Sequence, residues 1–444
     1  MRRPVGLSRV LLLAGLCTLP PATPATAQEG SPAGPVPPEL LARRRARLLE
    51  SLAGRLTVIG GERLRDIERD YPQDSDFRQD ANFFYLTGLE EPEGWLVLNA
   101  GAPGAEILYL PPRSPAEETW TGRRLGPGPE ASRLAGVQDV RAADRLPADL
   151  RRWVGEGTEV VVSLGDERNR ALVEQLLSSP RARLTDAAPL LARLRLVKDH
   201  DELRRLRRAI DVTIEALLEV WRVTEPGLYE YEIEAVLEYV FRAQGAERVG
   251  FPSIVASGPN TTVLHYDKNR RRTEAGDLLV TDVGAEFGYY TADITRTIPV
   301  SGTFTPRQRA IYELVLGAQE AGLAEVRPGR TIRDAHAAAT HYLDAHSGDL
   351  CGERSCSTRF IHGLSHWLGL DVHDVGDIFT PFEPGMVLTV EPGVYLVDED
   401  LGVRIEDVAL VTAAGHELLT AALPRAPEEI ESVMREEPRS VRLR

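Results

Sequence analysis

The chain is poor in sulfur and in lysine. Of its 444 residues three are Cys and three are Met, and Lys198 and Lys268 are its only lysines. So few cysteines exclude a scaffold built on disulfides. Positive charge is also in deficit, with a formal net charge of −15. That argues against a nucleic-acid binder, whose surface is usually basic. After the N-terminus no apolar run reaches the roughly 18 residues of a membrane span. The first half has no Gly-rich phosphate loop, and no repeat recurs at solenoid periods. What is present is ordinary globular composition, 43% hydrophobic and 27% charged, in a chain long enough for two or three domains.

The N-terminus reads as an export signal. Arg2, Arg3 and Arg9 flank or precede a short apolar stretch at 10–19, and Ala25-Thr26-Ala27 has small residues where a signal peptidase reads. This predicts a cleaved signal peptide over 1–27 and a periplasmic or secreted product. Cys17 leaves with the signal. Cys351 and Cys356 remain, five positions apart. In an oxidising compartment they are candidates for a local disulfide, and spacing alone leaves open whether they pair.

The mature chain divides in two. Residues 28–38 (QEGSPAGPVPP) form a Pro/Gly-rich linker. Residues 39–53 have helical apolar spacing. Strand-like runs follow at 56–59, 83–86, 95–98, 107–110 and 159–164, with a helical stretch at 167–177. The alternation predicts an α/β domain over 39–190. A long amphipathic helix is expected over 190–220, started by Pro189. A second domain then runs over 195–435.

The residues with chemistry lie in that second half. The segment 277–300 has two β-rich runs around Glu286-Phe287-Gly288, the pattern of a hairpin. A turn centred on Phe287-Gly288 sets Asp282 directly opposite Asp293. Opposed residues share a face with Cβ atoms about 5 Å apart, so two carboxylates there need a counter-charge. Downstream, a turn centred on Asp398-Glu399 likewise sets Glu391 opposite Glu406. Asp277 and Glu286 read as strand-end and turn acids, and Trp367 as packing. Between the hairpins His362, His366 and His373 fall within twelve residues, in a chain with nine His. Four carboxylates and an imidazole form a hard, oxygen-rich donor set suited to Mn²⁺, Co²⁺ or Zn²⁺. Two such ions can share bridging carboxylates and hold a hydroxide at neutral pH.

The segments HGLSHWLGLDVHDVG (362–376), DITRTIPV (293–300), LTVEPGVY (388–395) and GVRIEDV (402–408) resemble the Xaa-Pro aminopeptidases, the aminopeptidase P group of pita-bread metallopeptidases. DSDFRQDANFFYLTGLEEPEG (74–94) and ETWTGRRLG (118–126) are similar to that group's N-terminal domain, and 419–434 to the end of its catalytic domain. The resemblance implies an α+β chain, with a C-terminal pita-bread domain preceded by a smaller α/β domain. It implies two divalent ions, usually Mn²⁺. Asp282, Asp293, His366, Glu391 and Glu406 match the group's metal ligands, with Asp293 and Glu406 as bridges. Glu391 also handles the proton of the attacking hydroxide. His265, His362 and His373 match its catalytic and substrate histidines, with His373 donating toward the scissile carbonyl. Tyr395 and Arg404 match residues lining the site. Trp120 resembles a tryptophan presented across a subunit contact, implying a dimer or tetramer. The loops at 374–385 and 396–402 are shorter than in many members, and the Cys351/Cys356 pair lies outside the pattern.

The implied activity is removal of the first residue from peptides with proline in second position, without nucleic-acid partners. An Xaa-Pro dipeptidase shares the ligands, but Ser365 and Trp367 beside His366 favour the aminopeptidase. Methionine aminopeptidases usually lack the N-terminal domain, and creatine hydrolases the full ligand set. A non-catalytic peptide binder has no reason to keep all five ligands.

Overall fold

The computed structural model describes residues 31–64, 77–155, 157–163 and 182–440. The signal segment, Cys17 and the helix expected over 167–177 lie outside the described residues.

The first half is one mixed sheet with flanking helices. Its strands are β1 (Leu56–Gly60), β2 (Trp95–Leu98), β3 (Glu106–Leu110), β4 (Asp139–Ala142), β5 (Glu159–Val162) and β6 (Arg183–Asp186), in the order β4-β3-β2-β1-β5-β6. The apolar central strands β1, β2 and β5 are buried along most of their length, as a sheet covered on both faces requires.

Residues 83–86, expected to be a strand, are instead helical within Ala81–Thr87. Asp80 caps this helix by accepting from the Phe83 N–H, and Gly88 ends it at φ 64°. Nearly every side chain of the run is buried, which erases the periodicity that separates a buried helix from a strand. The single helix expected over 190–220 is two, Ala188–Leu196 and His200–Val223. Asp199 starts the second with a capping box to Glu202. The Lys198 N–H between them donates to Gly385 O at 2.9 Å, so the link is tied to the second half.

The second half layers small antiparallel sheets beneath long helices. Its strands are β7 (Arg248–Val249), β8 (Ile254–Ser257), β9 (Leu278–Val283), β10 (Ala285–Phe287), β11 (Tyr290–Thr291), β12 (Ile294–Pro299), β13 (Val387–Val390), β14 (Gly393–Leu396), β15 (Leu401–Arg404), β16 (Asp407–Thr412) and β17 (Gly415–Leu418). They group as β11-β10-β7, β12-β9-β8, β13-β16-β17 and β14-β15. Helices His200–Val223, Glu230–Ala243 and Pro306–Ala324 bury apolar faces against them, and Ile332–His346 packs on Pro306–Ala324. Cys351 and Cys356 are joined by a disulfide. Among the described residues no helix is long and apolar enough to cross a membrane.

Candidate metal centre

The first hairpin differs from expectation by a shift of the turn. Gly288 and Tyr289 are its central residues, both with positive φ (57° and 73°), as a type I′ turn requires. Tyr289 tolerates this conformation because its ring stacks on Phe84 at 3.9 Å and its hydroxyl accepts from the Gln79 N–H. Asp282 is therefore paired with Thr295 and not with Asp293. Side chains alternate with a period of two, so Asp293 still shares the face of Thr295 and Asp282. The two aspartates meet within hydrogen-bonding reach. Gly284 permits the approach, since an added Cβ would overlap the backbone of Ala292. Glu286 is no turn acid; it lies buried in β10, held by Arg78 and Arg248.

The second hairpin has the expected register. Gly393 pairs with Arg404 and Leu396 with Leu401, which centres the turn on Asp398-Glu399. The Ile405 N–H donates to Pro392 O at 3.3 Å, extending the same register toward Glu391 and Glu406. There the backbone divides: the Glu391 N–H donates to Leu364 O and the Glu406 N–H to Thr295 O. This draws the 364–366 segment and β12 together around the two glutamates.

These elements enclose a cleft of about 520 Å³ lined by Asp282, Asp293, Glu391 and Glu406 with His265, His362, His366 and His373. His366 Nε2 lies 3.3 Å from Asp293, 3.5 Å from Glu391 and 4.0 Å from Glu406. Asp293, His366 and Glu406 present ligand atoms close enough to hold one ion. The electrostatics are lopsided. Arg404 compensates Asp282 through a 2.7 Å contact. Burial, then Asp282 and Glu391, push the Asp293 carboxyl well above the usual range. Burial and repulsion raise Glu391 and Glu406 in the same way. Among the described residues, buried oxygens of Asp282, Asp293 and Glu406 find no hydrogen-bond partner. Crowded carboxylates with orphaned oxygens are the condition a divalent cation relieves, so the residues present fit a metal centre.

Around this core the histidines differ. His362 donates from Nδ1 to Gly363 O, and its Nε2 accepts from the Tyr395 hydroxyl at 2.8 Å. That hydroxyl in turn accepts from Arg404 at 3.0 Å. Burial, with Arg404 nearby, lowers His362 to about 4 and leaves it neutral; burial also pushes Tyr395 up to about 12. His265 and His373 are exposed at the mouth of the cleft. Burial, with His366 and His265, lowers His373. Trp367 is packing, edge-on to Phe382.

Trp120 does not join the cleft of its own chain. It lies in helix Pro115–Thr121 and is 85% exposed. Sequence reasoning also passed over Thr295, whose hydroxyl donates to Glu406 at 2.8 Å. The signal was available, since Thr295 stands two positions after Asp293 on one strand face.

Carboxylate pairs on two hairpins, with histidines between them in an open cleft, define a metallopeptidase-like site. Residues 204–413 match metallopeptidase family M24, and residues 41–162 match the aminopeptidase P N-terminal domain. The Xaa-Pro aminopeptidase of Escherichia coli is 35% identical over 88% of this chain and 96% of its own length. An aminopeptidase P structure from that organism, zinc-substituted and with product bound, superposes with TM-score 0.83 at 33% identity, covering 90% of this chain and 99% of that one. Aminopeptidase PepP of Pseudomonas aeruginosa gives TM-score 0.83 at 33% identity, over 90% and 98%. The chain belongs to metallopeptidase family M24, in its aminopeptidase P branch. It is a metal-dependent aminopeptidase with an N-terminal domain and a C-terminal catalytic domain.

Proposed function

We propose that the enzyme releases the first residue from peptides with proline in second position, using two divalent ions, most suitably Mn²⁺. The observation that carries this reading is the meeting of Asp282, Asp293, His366, Glu391 and Glu406 in one cleft. Asp293 and Glu406 would bridge the ions, Asp282 would hold one, and His366 with Glu391 the other. When bound, the ions supply Lewis-acid activation of water.

The chain's own residues do the rest. Glu391 takes a proton and returns it to the leaving nitrogen. His373 donates to the carbonyl oxygen as negative charge develops there. His265 stands at the same mouth to meet the substrate. His362, kept neutral, orients Tyr395 and through it Arg404 against Asp282. Proline after the scissile bond has no N–H, and donation to the carbonyl does not require one.

The test compares Xaa-Pro, Xaa-Pro-Yaa and longer peptides with their Xaa-Ala counterparts under Mn²⁺. Turnover of the longer proline peptides with loss of one residue supports the reading. Fast cleavage of the dipeptide alone overturns it in favour of a dipeptidase, and equal turnover of alanine peptides overturns proline selection.

Export and assembly belong to the same proposal. The 1–27 segment supports a periplasmic or secreted enzyme, checked by N-terminal sequencing for Gln28 in an exporting host. The exposed Trp120 supports a homo-oligomer in which this ring reaches a neighbouring cleft, checked by light scattering of Trp120→Ala. The division between domains falls between residues 190 and 195.

A further inference from the structure

His373 hangs on a tight turn, residues 369–374, whose anchors come from elsewhere in the chain. At its base the Asp374 N–H donates to Trp367 O at 2.9 Å. The Asp374 carboxylate lies across Gly369, where an added Cβ would overlap it. Lys198 Nζ sits 3.2 Å from its Oδ2, and Arg195 grips its Oδ1. The same Arg195 guanidinium lies 2.8 Å from Asp371. Arg78 adds a 3.3 Å contact to Asp371 and donates to Leu370 O. The Asp374, Arg195 and Lys198 side chains are 1%, 2% and 1% exposed.

Two features set this cluster apart from an ordinary buried ion pair. All three cations precede residue 204, where the M24 match begins. Both carboxylates flank His373, and neither reaches the cleft. Burial opposes the charge on Asp374, but Lys198 and Arg195 outweigh it and hold the carboxyl below its usual range.

We propose that Asp374, clamped by Lys198 and Arg195, positions His373, so that residues outside the histidine motif act on the reaction through the placement of this one imidazole. The inference rests on the proposed role of His373 at the substrate carbonyl. A displaced oxyanion donor loses rate and not binding, because it acts chiefly in the transition state.

The test measures kcat and KM of the metal-loaded full chain on whichever peptide the wild type cleaves. The variants are Asp374→Asn, Lys198→Met, Lys198→Arg, His373→Ala and the double variant Asp374→Asn/His373→Ala. Asp374→Asn is expected to lower kcat by about tenfold to a hundredfold, with KM within about threefold and metal content unchanged. Lys198→Met should move kcat the same way and Lys198→Arg should restore much of it. The double variant should be no slower than His373→Ala alone, since both changes remove one function. Wild-type kcat in Asp374→Asn and Lys198→Met, or effects that multiply in the double variant, would overturn the positioning. If Asp374→Asn does not fold, the Lys198 pair decides. Imidazole NMR gives a readout independent of turnover. The His373 signal, assigned by its loss in His373→Ala, should shift or broaden in Lys198→Met while the His265 signal stays. An unchanged His373 signal overturns the proposal. A wild type inactive on every proline peptide overturns the proposed function and leaves the NMR result to judge the clamp.

Discussion

Thr295 stands opposite Asp282 across the β9–β12 ladder and donates its hydroxyl to Glu406 in the link between β15 and β16, so one small side chain ties the two carboxylate hairpins together. Arg404 reinforces the tie, reaching Thr295 at 3.3 Å and Asp282 at 2.7 Å. Replacing Thr295 by Val keeps the shape and leaves a buried Glu406 oxygen without its donor. Partners behind a metal ligand are worth about tenfold to a hundredfold in affinity. Thr295→Val should therefore weaken metal binding by about tenfold, read by titration of the metal-free protein, while Thr295→Ser retains it. Equal affinity in Thr295→Val would remove this role.

Asp293→Ala should abolish activity and lower metal content. Asp293 is the carboxylate nearest His366 and is crowded by Asp282 and Glu391. Elemental analysis of the purified variant checks this; two retained ions with near-normal turnover would show the ligand assignment to be wrong.

Glu202 gives a pH signature of stability away from the metal site. Burial raises its carboxyl to about 7, despite Arg44 beside it. The folded state thus holds a proton that the unfolded chain has already released above its ordinary value near 4.5. The contribution is full below that value and is lost as pH climbs through 7. Relative to Glu202→Gln, the wild type should lose melting temperature between pH 5 and pH 8. Parallel melting curves across that range would contradict the assignment.

The Cys351–Cys356 bridge closes a short loop between helix Ile332–His346 and the chain leading to His362. Cys356 is fully buried, and its N–H donates to the Ser347 hydroxyl. Further along, Phe360 meets His362 edge-on at 4.9 Å. An unreduced digest should show this peptide two hydrogens lighter than the dithiol. A Cys351→Ser/Cys356→Ser chain should melt lower, by the equivalent of about 2 kcal/mol for so short a loop. An unchanged melting temperature would leave the bridge without a stabilising role.

Much of the site is legible in the residues, for a local reason. A hairpin's register follows from its turn, and Asp398-Glu399 stands midway between Glu391 and Glu406. For the other hairpin the turn moved to Gly288-Tyr289, where Tyr289 is held at positive φ by its stack on Phe84 and the bond its hydroxyl accepts from Gln79. The aspartates still met, because the shift preserved the parity of the strand and with it the face. The run at 83–86 was misjudged because burial on all sides leaves no period to count.

The sequence by itself determined the donor types, their placement on two hairpins and the family to which these motifs belong. Tertiary structure alone decided which groups lack a partner and which are anchored from afar. Thr295 meets Glu406 across 111 positions of chain, and Lys198 meets Asp374 across 176. No local spacing encodes such contacts; they exist because packing buries these charges and polar groups, and a buried charge must find its partner wherever the fold brings one.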